Sequence, residues 1–211
     1  MSTPFYKKAR RHLSANCPVM KGVIAAVGPC TLAPNPADPF TLLVRCVIFQ
    51  QISTKAADSI FARLVAATGG GPGVPMARLA RLREDRLRAC GISGPKQRAL
   101  RAVIDHVRAT PDLLPGIEDR DDDTIREQLT RIKGIGPWSA DMFLMFGFSR
   151  HDVWPVTDYG IRVALKRQFK LDELPDVKKA ATMGEPWKPY RTVAAWYLWR
   201  SLELTSESAA T

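Results

Sequence analysis

The chain has 211 residues, 45% of them hydrophobic, enough to bury a substantial core as one domain or two closely joined lobes. Its 31 Lys and Arg against 21 Asp and Glu leave a formal net charge of +10 and a pI near 9.8, which puts a polyanion first among partner classes. No segment approaches the ~20 apolar residues that span a bilayer, and the opening MSTPFYKKARRHL is charged and lacks the apolar run of a signal peptide, so no membrane role is expected.

In chain order, helices are predicted at 4–15 and 18–27, ending near Gly28-Pro29, followed by a Pro-rich connection over 31–39. From Phe40 to Gln51 the apolar positions Leu43 and Val47 trace a helix whose far end turns polar at Gln50-Gln51. Ser53 is placed to cap the next helix, which runs to Thr68 and stops at Gly69-Gly70-Gly71. Short helices are predicted at 75–82 and 84–90, a break from Gly91 to Pro95, a basic helix at 96–109 and an irregular linker at 111–120. Further helices fall near 158–169, 175–182 and 189–203, and residues 204–211 are expected to fray. No strand alternation is evident, so the expected class is all-α.

Between the linker and the helix at 158 lies the most informative segment, 129–146, LTRIKGIGPWSADMFLMF. Its first helix has an N-terminal signal at Asp123-Thr124, with Glu127 as a capping-box partner, and is expected to close at Lys133. Gly134 can take the positive φ that ends it, and Gly136-Pro137 opens a second helix with Pro at its favoured first position. The backbone N–H groups of Gly134, Ile135 and Gly136 would then be free to meet a phosphate, with Lys133 as a mobile cation. The same residues also suit a plain αα-turn in any helical protein.

The four cysteines, 17, 30, 46 and 90, show no CxxC and no zinc-like spacing, and His12, His106 and His151 are scattered. They are expected to be reduced, mostly buried thiols in a cytosolic protein, with no cluster and no catalytic metal.

The segment Ile132-Lys-Gly-Ile-Gly-Pro-Trp-Ser-Ala140, followed by Pro155-Val-Thr-Asp158-Tyr-Gly-Ile-Arg162, resembles the helix-hairpin-helix (HhH-GPD) base-excision DNA glycosylases, and within them the 3-methyladenine DNA glycosylase II (AlkA-like) group. Phe40 through Ser53 resembles an early helix of that family, Cys90 through Leu100 its DNA-wedging loop and following helix, and Trp187 through Trp199 its C-terminal helix. The likeness runs from about residue 5 to 203 and is closer to the compact form without an N-terminal β domain. It implies a two-lobed helical fold in one glycosylase domain over 1–211, with lobes of 1–35 plus 155–211 and of 36–154, and an active-site cleft between them.

The resemblance also implies chemistry. Asp158 would stabilise the oxocarbenium-like sugar as the N-glycosidic bond breaks and help a water attack, and at a helix N-terminus the macrodipole favours its negative charge, although Asp there is also an ordinary cap. The lyase lysine of bifunctional relatives is replaced by Trp138, which cannot form a Schiff base. A monofunctional hydrolase acting on alkylated purines in duplex DNA is therefore expected, with a non-catalytic DNA-binding module, or a glycosylase for another lesion, as the alternatives. Base flipping would use Gln51 as gap filler and Ile92, Ser93 and Gly94 as wedge, though Gln50-Gln51 also fits a solvated helix end. Trp138, Trp199, Met142, Trp154 and Tyr159 would line the base pocket, whereas plain core packing is expected for Trp196 and equally fits Trp187. Lys96, Arg98 and Ser53 would contact phosphates. No cofactor is expected beyond a monovalent cation (Na+ or K+) that the family suggests on the hairpin carbonyls. Monomeric action is expected, in the cytoplasm at the bacterial nucleoid or in the nucleus if eukaryotic.

Overall fold

The computed structural model describes residues 3–33 and 35–207, and among these there are helices and no strand. Twelve α-helices follow one another among the described residues. The chain divides into two units, one of Met1–Pro34 with Ser149–Thr211, the other Asn35–Phe148. The second crossing thus falls at 148/149, earlier than the expected 154/155, because Val153, Trp154 and Pro155 are buried with the C-terminal helices.

The first unit holds α1 (Thr3–Asn16), α2 (Pro18–Val27), α10 (Tyr159–Gln168), α11 (Val177–Gly184) and α12 (Arg191–Glu207). Residues Thr192 to Leu198 of α12 are buried without a break, so this stretch of the helix is covered around its whole girth. α2 and α10 pack against it. Tyr197 reaches out of it to donate to the carbonyl of Gly28 (2.9 Å), and Arg191 at its head grips Asp152 through Nε (2.7 Å) and Nη2 (2.8 Å). α12 continues through 204–207, where fraying was expected; the rest of the tail lies outside the described residues.

The second unit is built on α3 (Pro39–Phe49), started by Asp38, whose Oδ1 accepts from Thr41 N (3.0 Å). Eight of its residues are buried, and α4 (Thr54–Ala67), α7 (Gly94–Ala109) and α9 (Pro137–Met142) pack around it. α5 (Met76–Arg81) and α6 (Glu84–Ala89) lean on α7, and α8 (Asp122–Thr130) on α9. Beyond α9 the chain makes a π-helical turn over Phe143–Gly147. Cys17, Cys46 and Cys90 are buried and Cys30 is half-buried. No helix among the described residues is long and apolar enough to cross a membrane.

Trp154 was expected in a base pocket but belongs to the first unit's core. It is 7% exposed, donates through Nε1 to Ala180 O (2.8 Å) and meets Trp187 edge to face at 5.1 Å. A Cβ on Gly184 would lie 2.4 Å from that indole nitrogen. Gly184→Ala is therefore expected to cost about 1–3 kcal/mol through overpacking, read as a lower urea midpoint with an unchanged slope.

Candidate functional site

In the first unit the site is a carboxylate at a helix head. Asp158 is the N-cap of α10 itself rather than a first-turn residue, with φ −70° and ψ 122°. Its Oδ1 accepts from the backbone N–H of Ile161 (2.7 Å) and from Trp199 Nε1 (2.9 Å). Trp199 reaches it from α12, the buried helix. The ring comes this close because position 160 is glycine: a Cβ there would lie 3.1 Å from Asp158 Oδ1 and 3.3 Å from Trp199 Cδ1. Asp158 and Trp199 are half-buried, while Tyr159 beside them is 70% exposed. Geometry therefore joins Asp158, Tyr159 and Trp199, and leaves Trp154 out.

In the second unit three segments converge. The hairpin begins earlier than expected: α8 starts from Asp121, whose carboxylate accepts from Thr124 N (2.8 Å) and Thr124 Oγ1 (2.6 Å), and it ends at Thr130 instead of Lys133. Asp121 lies two residues before Asp123 in an acidic run whose members are hard to tell apart by sequence. Gly134 does take a positive φ (95°), and Pro137 does open α9 with Gly136 as its N-cap. The N–H of Ile135 is not free, since it closes the turn onto Ile132 O (2.9 Å). Ile135 itself is buried and Lys133 exposed. At the base of the hairpin a carboxylate with a side chain only 9% exposed, Asp141, takes a 2.9 Å bond from Arg126 Nε and ties α9 to α8.

The second segment is the end of α3. The helix stops at Phe49, and Gln51 turns with φ 53°, its side chain exposed. Gln50, which sequence reasoning treated only as a polar helix end, donates through Nε2 to Gly134 O and to Ser139 Oγ, both at 2.9 Å. Such a contact spans 84 residues, so no local pattern could reveal it. Ser53 caps α4 by accepting from Ala56 N (3.3 Å).

The third segment is the start of α7. Ser93 and Gly94 are exposed, but Ile92 is 1% exposed and packed in the core, which removes it as a wedge. The exposed apolar side chain of this region is Ile52, at 38%, beside Gln51. Lys96 also departs from its expected role. Its ammonium donates to Ile48 O (2.7 Å) at the end of α3, and burial pushes its pKa down. Arg98 is exposed, as a phosphate contact requires. Trp138 is half-buried and Met142 is 8% exposed. Trp196 and Trp187, at 8% and 1%, are covered.

This hairpin, braced by α3 and α7, is the centre of the segment, residues 44–189, that matches the HhH-GPD superfamily of base excision DNA repair proteins. The chain belongs to that superfamily. Among its relatives, DNA-3-methyladenine glycosylase 1 of Schizosaccharomyces pombe is 32% identical over 93% of this chain and 88% of its own length. The alkylbase DNA glycosidase-like protein mag2 of the same organism is 30% identical over 92% and 93%. The structure of the Schizosaccharomyces pombe 3-methyladenine DNA glycosylase in complex with abasic DNA superimposes with a TM-score of 0.85 at 30% identity, over 93% of this chain and 97% of that one. The all-helical HhH-GPD glycosylase fold is thus established.

Within this HhH-GPD hairpin the two glycines differ. A Cβ on Gly134 would lie 2.6 Å from Ala99 Cβ, on backbone with a positive φ, whereas one on Gly136 meets nothing within 4 Å. Gly134→Ala is expected to lose about 2–4 kcal/mol from strain and overpacking together, and Gly136→Ala less than about 1 kcal/mol. Chemical denaturation of the pair measures the difference.

Proposed function

We propose that this HhH-GPD protein is a monofunctional DNA glycosylase that hydrolyses the N-glycosidic bond of alkylated purines, 3-methyladenine and 7-methylguanine, in duplex DNA and leaves an abasic site. The observation that carries this is the Asp158 carboxylate, half-buried at the head of α10 with Ile161 N–H and Trp199 Nε1 fixed on Oδ1. Preoriented donors and the helix N-terminus favour a negative charge whose direction is set before substrate arrives. Such a charge stabilises a sugar that is becoming cationic. Relatives named as 3-methyladenine DNA glycosylases support the substrate class. A cationic alkylated purine is drawn to the exposed ring of Tyr159 and the partly exposed ring of Trp199, which adds discrimination to the damaged base's own readiness to leave.

The remaining parts follow from the second unit. Phosphates are met by the amides of Gly134 and Gly136, by Lys133 and by Arg98, without base readout. Gln51 occupies the gap left by the flipped nucleotide, and Ile52, exposed on the same turn, takes the wedging part first given to Ile92. The resemblance matches Trp138 to the lysine of the lyases, and an indole offers no amine, which supports a reading in which the abasic strand is not cut. A monovalent cation on the hairpin would share Gly134 O with Gln50 and Ile132 O with Ile135 N–H; each carbonyl keeps a second lone pair, so the donor set fits such an ion. The protein acts as a monomer on DNA.

Asp158→Asn retains a capping side chain and removes the charge. Base release from methylated duplex in single turnover is expected to fall by roughly 10²–10³-fold, with affinity for an abasic-analogue duplex within about threefold of the parent. Excision by Asp158→Asn at the parental rate would refute the proposed mechanism.

A further inference from the structure

We propose that Gln50 is a positioning residue that locks the hairpin to the Gln51–Ser53 turn, so that the strand-gripping loop and the gap-filling side chains are held in one register. The proposal rests on the roles given above to the hairpin and to Gln51.

Three observations carry it. First, Gln50 sits where α3 ends, with φ −57° and ψ 129°, immediately before the left-handed Gln51. Any shift of its backbone therefore redirects Gln51. Second, its Nε2 divides two N–H bonds between the two sides of the hairpin's apex. Gly134 O lies in the loop and Ser139 Oγ in α9, and Ser139 is only 2% exposed. A carbonyl oxygen carries no proton, so a side chain that bonds Gly134 O must donate to it, and a neutral amide of this reach supplies two donors in a fork. Third, Lys96 holds Ile48 O from α7, and Ala99 of α7 packs against Gly134. The end of α3, the start of α7 and the hairpin thus close a ring of contacts in which Gln50 touches the loop and α9 together through hydrogen bonds.

Loss of Gln50 leaves the hairpin's foundations in place. Arg126–Asp141 still ties α8 to α9, and Ala99 still seats Gly134. The fold is retained while the register of the DNA-facing turn relaxes.

The test uses the full chain with Gln50→Leu, Gln50→Glu and Ser139→Ala. Amide hydrogen exchange without DNA is read at Ile135, bonded to Ile132 O, and at Ala56, bonded to Ser53 Oγ, with Val103 in the middle of α7 as reference. Gln50→Leu is expected to speed exchange about tenfold at both Ile135 and Ala56 and leave Val103 unchanged, and to weaken duplex binding about tenfold. Ser139→Ala removes one arm and gives a smaller change in the same places. Gln50→Glu presents a carboxylate to Gly134 O at about pH 8, and near pH 4.5, close to the ordinary glutamic acid pKa of about 4.3, a large share of it is protonated and offers an O–H donor instead. Its affinity relative to the parent is expected to recover at the lower pH, and that of Gln50→Leu is not. Unchanged exchange at either reporter amide, parental binding by Gln50→Leu, or a Gln50→Glu defect that ignores pH overturns the proposal. A parent that releases no alkylated base removes the functional reading alone, because the exchange data still decide the brace.

Discussion

In the proposed function, one hydrogen-bonded carboxylate sets what this molecule can do. Asp158 Oδ1 receives both the first-turn amide of Ile161 and the indole of Trp199. The first bond starts α10; the second joins α10 to α12, the helix on which the first unit's core is assembled. An acid that served only to cap would need the amide alone. The indole orients the group as well, and Gly160 is the residue whose missing Cβ lets the ring come that near. Structural capping and electrostatic preorganisation are therefore the same arrangement of atoms, and the burial of α12 holds it still.

In the same reading the second unit solves a different problem: holding loop backbone in position against a polyanion without base-specific contacts. Its answer is to surround the hairpin with short, directional ties. Arg126–Asp141 fixes the two hairpin helices, Gln50 fixes the loop to α9, and Lys96 fixes α3 to α7. A positive charge spent on an internal carbonyl, as at Lys96, is lost to the surface but stiffens the platform on which Lys133 and Arg98 are exposed. The net charge of +10 acts over a distance, whereas these ties would decide where a bound strand comes to rest.

Much of this was legible in the sequence because it is local. Gly134's positive φ, Pro137 at the first position of α9, Ser53 as a cap and the extents of α1, α2 and α4 all depend on residues within a few positions of each other. What was missed is long-range or depends on burial. Ile92 and Trp154 have the right residue types for a wedge and a pocket, but side-chain type does not say which face of an element points inward, and both point to the core. Lys96 looked like a phosphate contact until Ile48 O was found beside it, and Gln50 gained a role only through a loop 84 residues away. The early end of α8 reflects a turn closed by Ile135 N–H, a bond that helix propensity does not register.

The central claim is that the Asp158 site hydrolyses a glycosidic bond and does nothing further to the strand. The most direct measurement is chromatographic identification of what the purified protein releases from methylated duplex DNA, with the strands run in parallel before and after alkali. The account predicts free 3-methyladenine and 7-methylguanine, and breaks that appear only after alkali. Methylated DNA that stays intact, or strands nicked before alkali is added, would contradict it.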